Sequence, residues 1–190
     1  MSDTVTIGRR FCGPPDSANG GYTCGLTAEA LGVEPAEVTL RRPPPLDRAL
    51  RVERRDEGAA LLDGDDVVSA ARPAPVPLDV PPPVTLELAD VVAQAFDVAA
   101  YAATHPFPTC FTCGPSRPQH DGLALYPGPV PRREGIVTWP WVPDPSLPNA
   151  DGVVDAAIVW AALDCPSGLA WLSDPSSGPA VLGRMRAVVH

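Results

Sequence analysis

The chain has 190 residues, of which 45% are hydrophobic and 19% charged, a composition typical of a globular protein with a sizeable core. Its net charge is −9, and its 14 basic residues, all arginine, form no basic tract, which argues against non-specific nucleic-acid binding. The first residues lack the apolar core of a signal peptide, and no apolar run reaches membrane length. The five cysteines are odd in number, so we expect reduced thiols in a cytoplasmic protein.

A two-glycine turn opens a short helix in the segment 19–32. This helix consists almost wholly of small and apolar residues, and without a polar face it should be buried. The glycines let the backbone enter the helix sharply and leave its first N–H groups open. Open N–H groups at the start of a helix attract a carbonyl oxygen or an anion.

Five segments after this helix are predicted as successive strands with turns between them. In chain order they are 37–42, 43–47, 49–55, 59–64 and 67–71. A run of this kind suits a sheet that wraps around the preceding helix.

The second half of the chain has a different pattern. An amphipathic helix is predicted over 86–103, because its apolar residues recur at helical spacing. An irregular segment rich in Pro, Gly and Cys covers 105–131, and a strand of alternating character covers 135–142. A second apolar helix with a polar and glycine entry is predicted over 153–165.

The second half echoes the first. Residues 162–164 line up with 30–32, and the segment 180–189 matches the strand that follows the first helix. A weaker echo pairs 12–14 with 113–115, both Cys-Gly-Pro. These matches indicate an internal repeat of two similar units.

The repeat predicts three parts of the chain. Residues 1–75 form the first unit, and 76–84 are a stiff Pro-rich linker. Residues 85–190 form the second unit, which carries the insert 105–131 and has room for only one strand after its helix. We expect that strand to pair with something, since an exposed apolar edge is an aggregation risk.

The first 75 or so residues resemble the hotdog fold of acyl-CoA thioesterases and dehydratases. The resemblance lies in the Gly-Gly helix start, the buried helix, the strand ending in a proline-rich turn, and the strands closed by an Asp-Gly turn. In that family the sheet wraps the helix, so we expect an α+β fold with two hotdog-like units around buried helices. Hotdog units pair side by side with active sites at the seam, so a homodimer or a longer partner chain is expected.

The resemblance implies a thioesterase acting on acyl-CoA or an acyl-carrier protein, with no cofactor. Thioester hydrolysis needs donors for the carbonyl oxygen and a carboxylate that acts as base or nucleophile. We expect the N–H groups of Gly21 and Tyr22 as donors and Asp164, then Asp155, as the carboxylate. Asn19 is a further candidate that would orient a water or a carbonyl.

Structural explanations compete with each of these assignments. The glycines permit a tight turn, and Asn19 before them is first a turn residue. Asp155 suits the first turn of a helix, where the dipole favours it, and Asp164 suits a cap before Cys165 and Pro166. Glu29, a third carboxylate candidate, suits a core acid paired with arginine.

The other function left open is a non-catalytic hotdog module that binds acyl groups or acts as a scaffold. A dehydratase or hydratase is disfavoured, because those hotdog enzymes use a catalytic histidine and neither predicted helix contains one.

The Cys110–Cys113 segment has the Cys-x-x-Cys-Gly form seen at zinc sites, with His105 and His120 within reach. Its histidine spacings fit no zinc finger closely, and no strand–motif–helix context favours a redox dithiol. We therefore expect no metal here and interpret the segment as a rigid Pro/Gly loop, a lid or wall of an acyl pocket.

Overall fold

The computed structural model describes residues 3–75, 82–172 and 180–189. Helix α1, Gly20–Leu31, forms where the two-glycine turn predicts it. Asn19 caps its first turn, and Gly32 ends it at φ 72°, a left-handed conformation that favours glycine. Most of its small residues are buried, as expected, while Glu29 is exposed, so the interpretation of Glu29 as a core acid is wrong.

An antiparallel sheet packs against α1. Its strands are β1 (Thr4–Thr6), β2 (Ala36–Leu40), β3 (Ala49–Arg55), β4 (Gly58–Asp63), β5 (Asp66–Pro73) and β10 (Arg184–Ala187). Their spatial order is β1-β3-β4-β5-β2-β10. Four of the five strands predicted after the helix are confirmed. The fifth, 43–47, is a loop, because its three prolines offer no N–H to a ladder.

A buried acid ties three strands of this sheet together. Glu37 on β2 is only 4% exposed and stands opposite Arg72 on β5 and Arg186 on β10. Arg72 donates to its Oε1 at 2.6 Å and 2.9 Å, and Arg186 donates to its Oε2 at 2.8 Å. Both carboxylate oxygens are therefore satisfied, which a buried charge requires.

Glu37→Gln is expected to destabilise the fold at neutral pH and to have a smaller effect in acid. Hydrogen bonds from Arg186, then Arg72, lower the pKa of Glu37 from 4.5 to about 2. Because the folded-state pKa is the lower one, the stabilisation is present above about pH 4.5 and is lost as the pH falls towards 2. Urea unfolding of both proteins across this pH range measures the difference.

Glu53→Gln is the matched control. Glu53 also has two arginine partners, Arg51 and Arg55, but all three lie on β3, and the Glu53 side chain is 29% exposed where that of Glu37 is 4% exposed. Exposed pairs contribute little, and a pair within one strand holds no strands together. An equal pH-dependent loss in both variants would contradict the cross-strand role of Glu37.

The second half is mostly loop and helix. It contains α2 (Leu86–Ala95), α3 (Val98–Thr104), β6 (Gly128–Pro129), β7 (Val137–Thr138), β8 (Asn149–Ala150), β9 (Val153–Val154) and α4 (Ala156–Leu172). Strands β6 and β7 form one two-stranded ladder, and β8 and β9 form another.

Two predicted elements of this half have the wrong extent. The single helix over 86–103 is two helices, because Phe96 ends α2 in an extended conformation and the Asp97 side chain caps α3 at Ala100. The strand over 135–142 shrinks to β7, since Pro140 lacks the N–H that a longer ladder needs.

Helix α4 packs against α1 at two glycines. A Cβ added to Gly25 would lie 2.5 Å from the Cα of Ala157, and one added to Gly21 would lie 2.5 Å from the backbone oxygen of Trp160. Ile158 and Trp160 are fully buried beside this contact. The two backbones can approach this closely only because the α1 positions have no side chain.

The start and the end of α4 differ from the prediction. The helix begins at Ala156 rather than 153, and it continues through Pro166 to Leu172. Pro166 removes one intrahelical hydrogen bond, to Ala162, without ending the helix. Asp164 therefore lies inside the helix, and the alternative explanation of Asp164 as a cap before Cys165 and Pro166 is wrong.

The α+β class is confirmed, and β10 pairs with β2, so the last predicted strand is covered on that side. Most of the predicted linker, 76–84, lies outside the described residues. Within the described ranges, no helix combines the length and the apolar character needed to cross a membrane.

Candidate functional site

A cavity of about 590 Å³ opens beside the start of α1. It lies between the α1 N-terminus, helix α4, the loop after α3, and the segment leading into β10. Asn19 and Gly20 line it from α1, His105 from the loop, and Asp164 and Cys165 from α4. Polar and thiol groups from distant parts of the chain therefore meet at one concave surface, as at most small-molecule sites.

Asp164 is turned towards the first residues of α1. Its Oδ2 accepts a hydrogen bond from the Gly21 N–H at 2.8 Å, and this bond fixes the carboxylate. Among the described residues no group donates to its Oδ1. Burial raises the pKa of Asp164 to about 6, although the Gly21 hydrogen bond partly opposes the shift.

The two predicted oxyanion donors already have acceptors. Gly21 N–H donates to Asp164, and Tyr22 N–H donates to Asn19 Oδ1 at 2.8 Å. Within the described part of the chain, the Gly20 N–H has no acceptor, and Gly20 lines the cavity. The backbone N–H without a protein acceptor among the described residues at this end of α1 is therefore that of Gly20, one residue before the two predicted donors.

Tyr22 is fixed by aromatic packing. Its ring stacks on Phe11 with centroids 4.0 Å apart and meets the edge of Phe111. Burial, and then the charge of Asp155, raises the pKa of the Tyr22 phenol to about 12. The phenol is therefore neutral at physiological pH.

Asn19 is a buried junction of α1, α4 and the loop after α3. While its Oδ1 caps α1, its Nδ2 lies 3.3 Å from Thr112 Oγ1 and 3.8 Å from Cys110 Sγ. Thr112 in turn donates to the backbone oxygen of Ala161 at 2.9 Å. Both the oxygen and the nitrogen of the amide thus bind protein atoms. This favours a structural role for Asn19 over the predicted role of orienting a water or a carbonyl.

Asp155 lies away from this cavity. It is exposed and directly precedes α4, where its backbone oxygen accepts from Ile158. Asp164 follows nine positions later in the chain, which corresponds to about 13 Å along the axis of the helix. The two carboxylates cannot act on one substrate bond, and the structure brings only Asp164 together with the start of α1.

Three cysteine thiols meet on the cavity wall. Cys110 and Cys113 come from the loop after α3, and Cys165 comes from α4; their Sγ atoms lie within 4.8 Å of one another. The Sγ atoms of Cys110 and Cys165 are 3.7 Å apart. His105 Nε2 lies 3.3 Å from Cys113 Sγ.

The three thiols differ in acidity. Hydrogen bonds from Cys113, then Cys165, lower the pKa of Cys110 far below its ordinary value. The pKa of Cys113 and of Cys165 is raised, because each is held as a donor towards Cys110. Burial lowers the pKa of His105, so its ring is neutral at physiological pH.

Sequence reasoning did not include Cys165 and Thr112 in the site, although it noted that His105 lies within reach of the Cys110–Cys113 segment. The Cys-x-x-Cys pattern marked Cys110 and Cys113, but Cys165 lies 52 positions after Cys113 in the chain, inside an apolar helix. The alignment of 162–164 with 30–32 marked this helix as similar to α1, but it carried no signal that Cys165 faces the Cys110–Cys113 loop.

No protein-family model, curated protein or solved structure matches the chain. A function is therefore inferred from the residues that line the cavity and from their hydrogen bonds.

Proposed function

We propose that the chain is an acyl thioester hydrolase built on a hotdog-like fold, acting on acyl-CoA or an acyl-carrier protein. The observation that carries the proposal is the Asp164 carboxylate, fixed by the Gly21 N–H at the start of a buried helix and lining a 590 Å³ cavity. A carboxylate and an unoccupied helix N–H beside one cavity are the two groups that thioester hydrolysis needs.

The topology supports the hotdog part of this proposal. Helix α1 follows β1 in the chain, packs on the sheet, and precedes β2, while the sheet order runs β1-β3-β4-β5-β2. An antiparallel sheet around one buried helix is the arrangement that the resemblance implies.

Two contacts support a partial second unit. Strand β10, which matches β2 in sequence, pairs with β2 antiparallel. The alignment of 30–32 with 162–164 makes Gly25 equivalent to Ala157, and these two residues touch each other. Equivalent residues in contact are expected at the axis between two similar units. We therefore propose that α4 and β10 are the second unit's helix and first following strand.

The reaction needs no co-reactant besides water. Water adds to the thioester carbonyl carbon while Asp164 accepts its proton, and the Gly20 N–H stabilises the carbonyl oxygen. The C–S bond then breaks, and Asp164 returns the proton to the leaving thiolate. The products are a carboxylic acid and a thiol.

Asp164→Asn is expected to lower thioester hydrolysis by about 100-fold or more, because the amide cannot accept the proton. The amide oxygen can still accept from Gly21, so folding should be preserved. The measurement is thiol release from a panel of acyl-CoAs and acyl-carrier proteins, followed with a thiol reagent, with circular dichroism as the check on folding.

Asp155→Asn is the matched control, since it makes the same change at the exposed start of the same helix. It should leave the rate within a factor of two or so of the native one. Equal losses in both variants, or a native rate at background for every substrate, would overturn the hydrolase proposal.

The second candidate is a non-catalytic acyl-binding or scaffold module. It is favoured by one observation, that the Gly21 and Tyr22 N–H groups are both occupied by side chains. Saturable binding of an acyl-CoA without thiol release would support the module over the enzyme.

Association with a second copy is part of the same proposal. Strand β10 ends the sheet within the described residues, so its outer edge offers backbone groups to another strand. Light scattering at micromolar concentration should give the mass of a homodimer, and a monomer mass would contradict this part. The five free thiols suit the cytoplasm as the compartment.

A further inference from the structure

The thiols of Cys110, Cys113 and Cys165 lie closer together than apolar packing alone would explain. Cys110 and Cys113 are only 3% and 5% exposed, and all three thiols are free. Buried free cysteines are common, but they behave as small apolar groups and have no need to meet. Here three converge from two separate segments, within 4.8 Å of one another.

The spacing of the sulfur atoms fits a tetrahedral metal ion. With Zn–S bonds of about 2.3 Å, the sulfur ligands of zinc lie about 3.8 Å apart. The Cys110 and Cys165 Sγ atoms are 3.7 Å apart, whereas a disulfide needs about 2.05 Å.

Two N–H groups next to the cluster favour thiolates over thiols. The Asn19 amide donates towards Cys110 Sγ at 3.8 Å. His105 Nδ1 accepts from the Phe107 N–H at 3.0 Å, so the neutral ring has its proton on Nε2. That Nε2–H then faces Cys113 Sγ at 3.3 Å as a donor. Donors of this kind support metal-bound thiolates from the outer shell.

Because His105 donates a hydrogen bond to Cys113 and does not bind the metal, the three cysteines are the protein ligands of the ion. All three cysteines line the cavity beside α1, so a fourth position would face it. Three protein ligands and one exogenous ligand form the open type of zinc site, in contrast to a closed structural site with four.

We propose that Cys110, Cys113 and Cys165 bind one Zn²⁺ ion whose fourth ligand is a water molecule from the cavity. His105 and Asn19 orient the thiolates and do not bind the metal. The ion connects the loop after α3 to helix α4 near Pro166. This site is independent of the hydrolase proposal, since it uses none of the groups assigned to thioester cleavage.

The first test uses the unaltered full chain, purified under reducing conditions without added metal. Elemental analysis should give about one zinc ion per chain. Replacement by Co²⁺ should produce sulfur-to-cobalt charge-transfer absorption of the intensity that three thiolates give. Zinc at background together with no cobalt absorption would overturn the proposal.

Variants then assign the ligands. Cys110→Ser, Cys113→Ser and Cys165→Ser should each abolish stoichiometric zinc. Cys12→Ser is the matched control, because Cys12 is also buried nearby but donates to the Thr109 oxygen, and it should retain the metal.

His105→Gln separates an outer-shell role from ligation. It should keep about one zinc ion per chain and weaken the affinity by about 10- to 100-fold. Complete loss of zinc in this variant would overturn the three-cysteine site, because His105 would then be a ligand. Metal content and hydrolysis are measured separately, so failure of either proposal is distinguishable from failure of the other.

Discussion

Gly25→Ala is expected to lower the free energy of unfolding by about 3 kcal/mol, the upper part of the range for overpacked cores. In most helices this substitution is favourable by about 0.5–1 kcal/mol, because alanine loses less backbone entropy. Here the added Cβ would lie 2.5 Å from the Cα of Ala157 and 3.0 Å from the Cβ of Trp160. A backbone atom of a packed helix cannot move aside cheaply, so α1 and α4 must separate.

Gly8→Ala is the control for the loss of glycine itself. Gly8 has φ −69°, which any residue adopts, and a Cβ there would have nothing within 4 Å. Its effect on the free energy of unfolding should stay within about 0.5 kcal/mol. Urea unfolding measures both variants. A Gly25→Ala protein as stable as the Gly8→Ala protein would mean that α1 and α4 are not in backbone contact.

Sequence patterns predicted the first half of the fold well, because its signals are local. The Gly-Gly turn and the run of small residues predicted α1, and strand-like segments separated by turns predicted most of the sheet, whose strands β2 to β5 are five to eight residues long. The polyproline segment 43–47 was misassigned where strand propensity was weakest. The three-residue β1 is too short to carry a periodic pattern.

The candidate site was predictable only in part, because its groups converge through tertiary packing. Asp164 was found because a carboxylate in an apolar helix is costly and needs a reason. The hydrogen bond between Asp164 and Gly21 could not be predicted, since it depends on how closely α4 approaches α1. Cys165 was missed for the same reason, because its helix brings it to the Cys110–Cys113 loop.

The two helices and the loop after α3 depend on one side chain at their junction. Asn19 is 1% exposed, caps Tyr22 N–H through Oδ1, and reaches Thr112 and Cys110 through Nδ2. Removing it would leave the Tyr22 N–H without its acceptor and Thr112 without its donor. Unsatisfied buried groups cost about 1–3 kcal/mol each, more than the loss of an exposed cap.

Asn19→Ala should therefore lower the free energy of unfolding by about 3 kcal/mol. Thr85→Ala removes the corresponding cap from the exposed helix α2, where Thr85 accepts from Leu88 N–H, and should cost only about 1 kcal/mol. Asn19→Ser keeps a capping oxygen but is too short to reach Thr112, so it should recover about 1 kcal/mol of the loss. Urea unfolding of the three variants measures these differences. If Asn19→Ala lowered the free energy of unfolding no more than Thr85→Ala does, Asn19 would act only as a helix cap. Its contacts with Thr112 and the Cys110–Cys113 loop would then contribute nothing to stability.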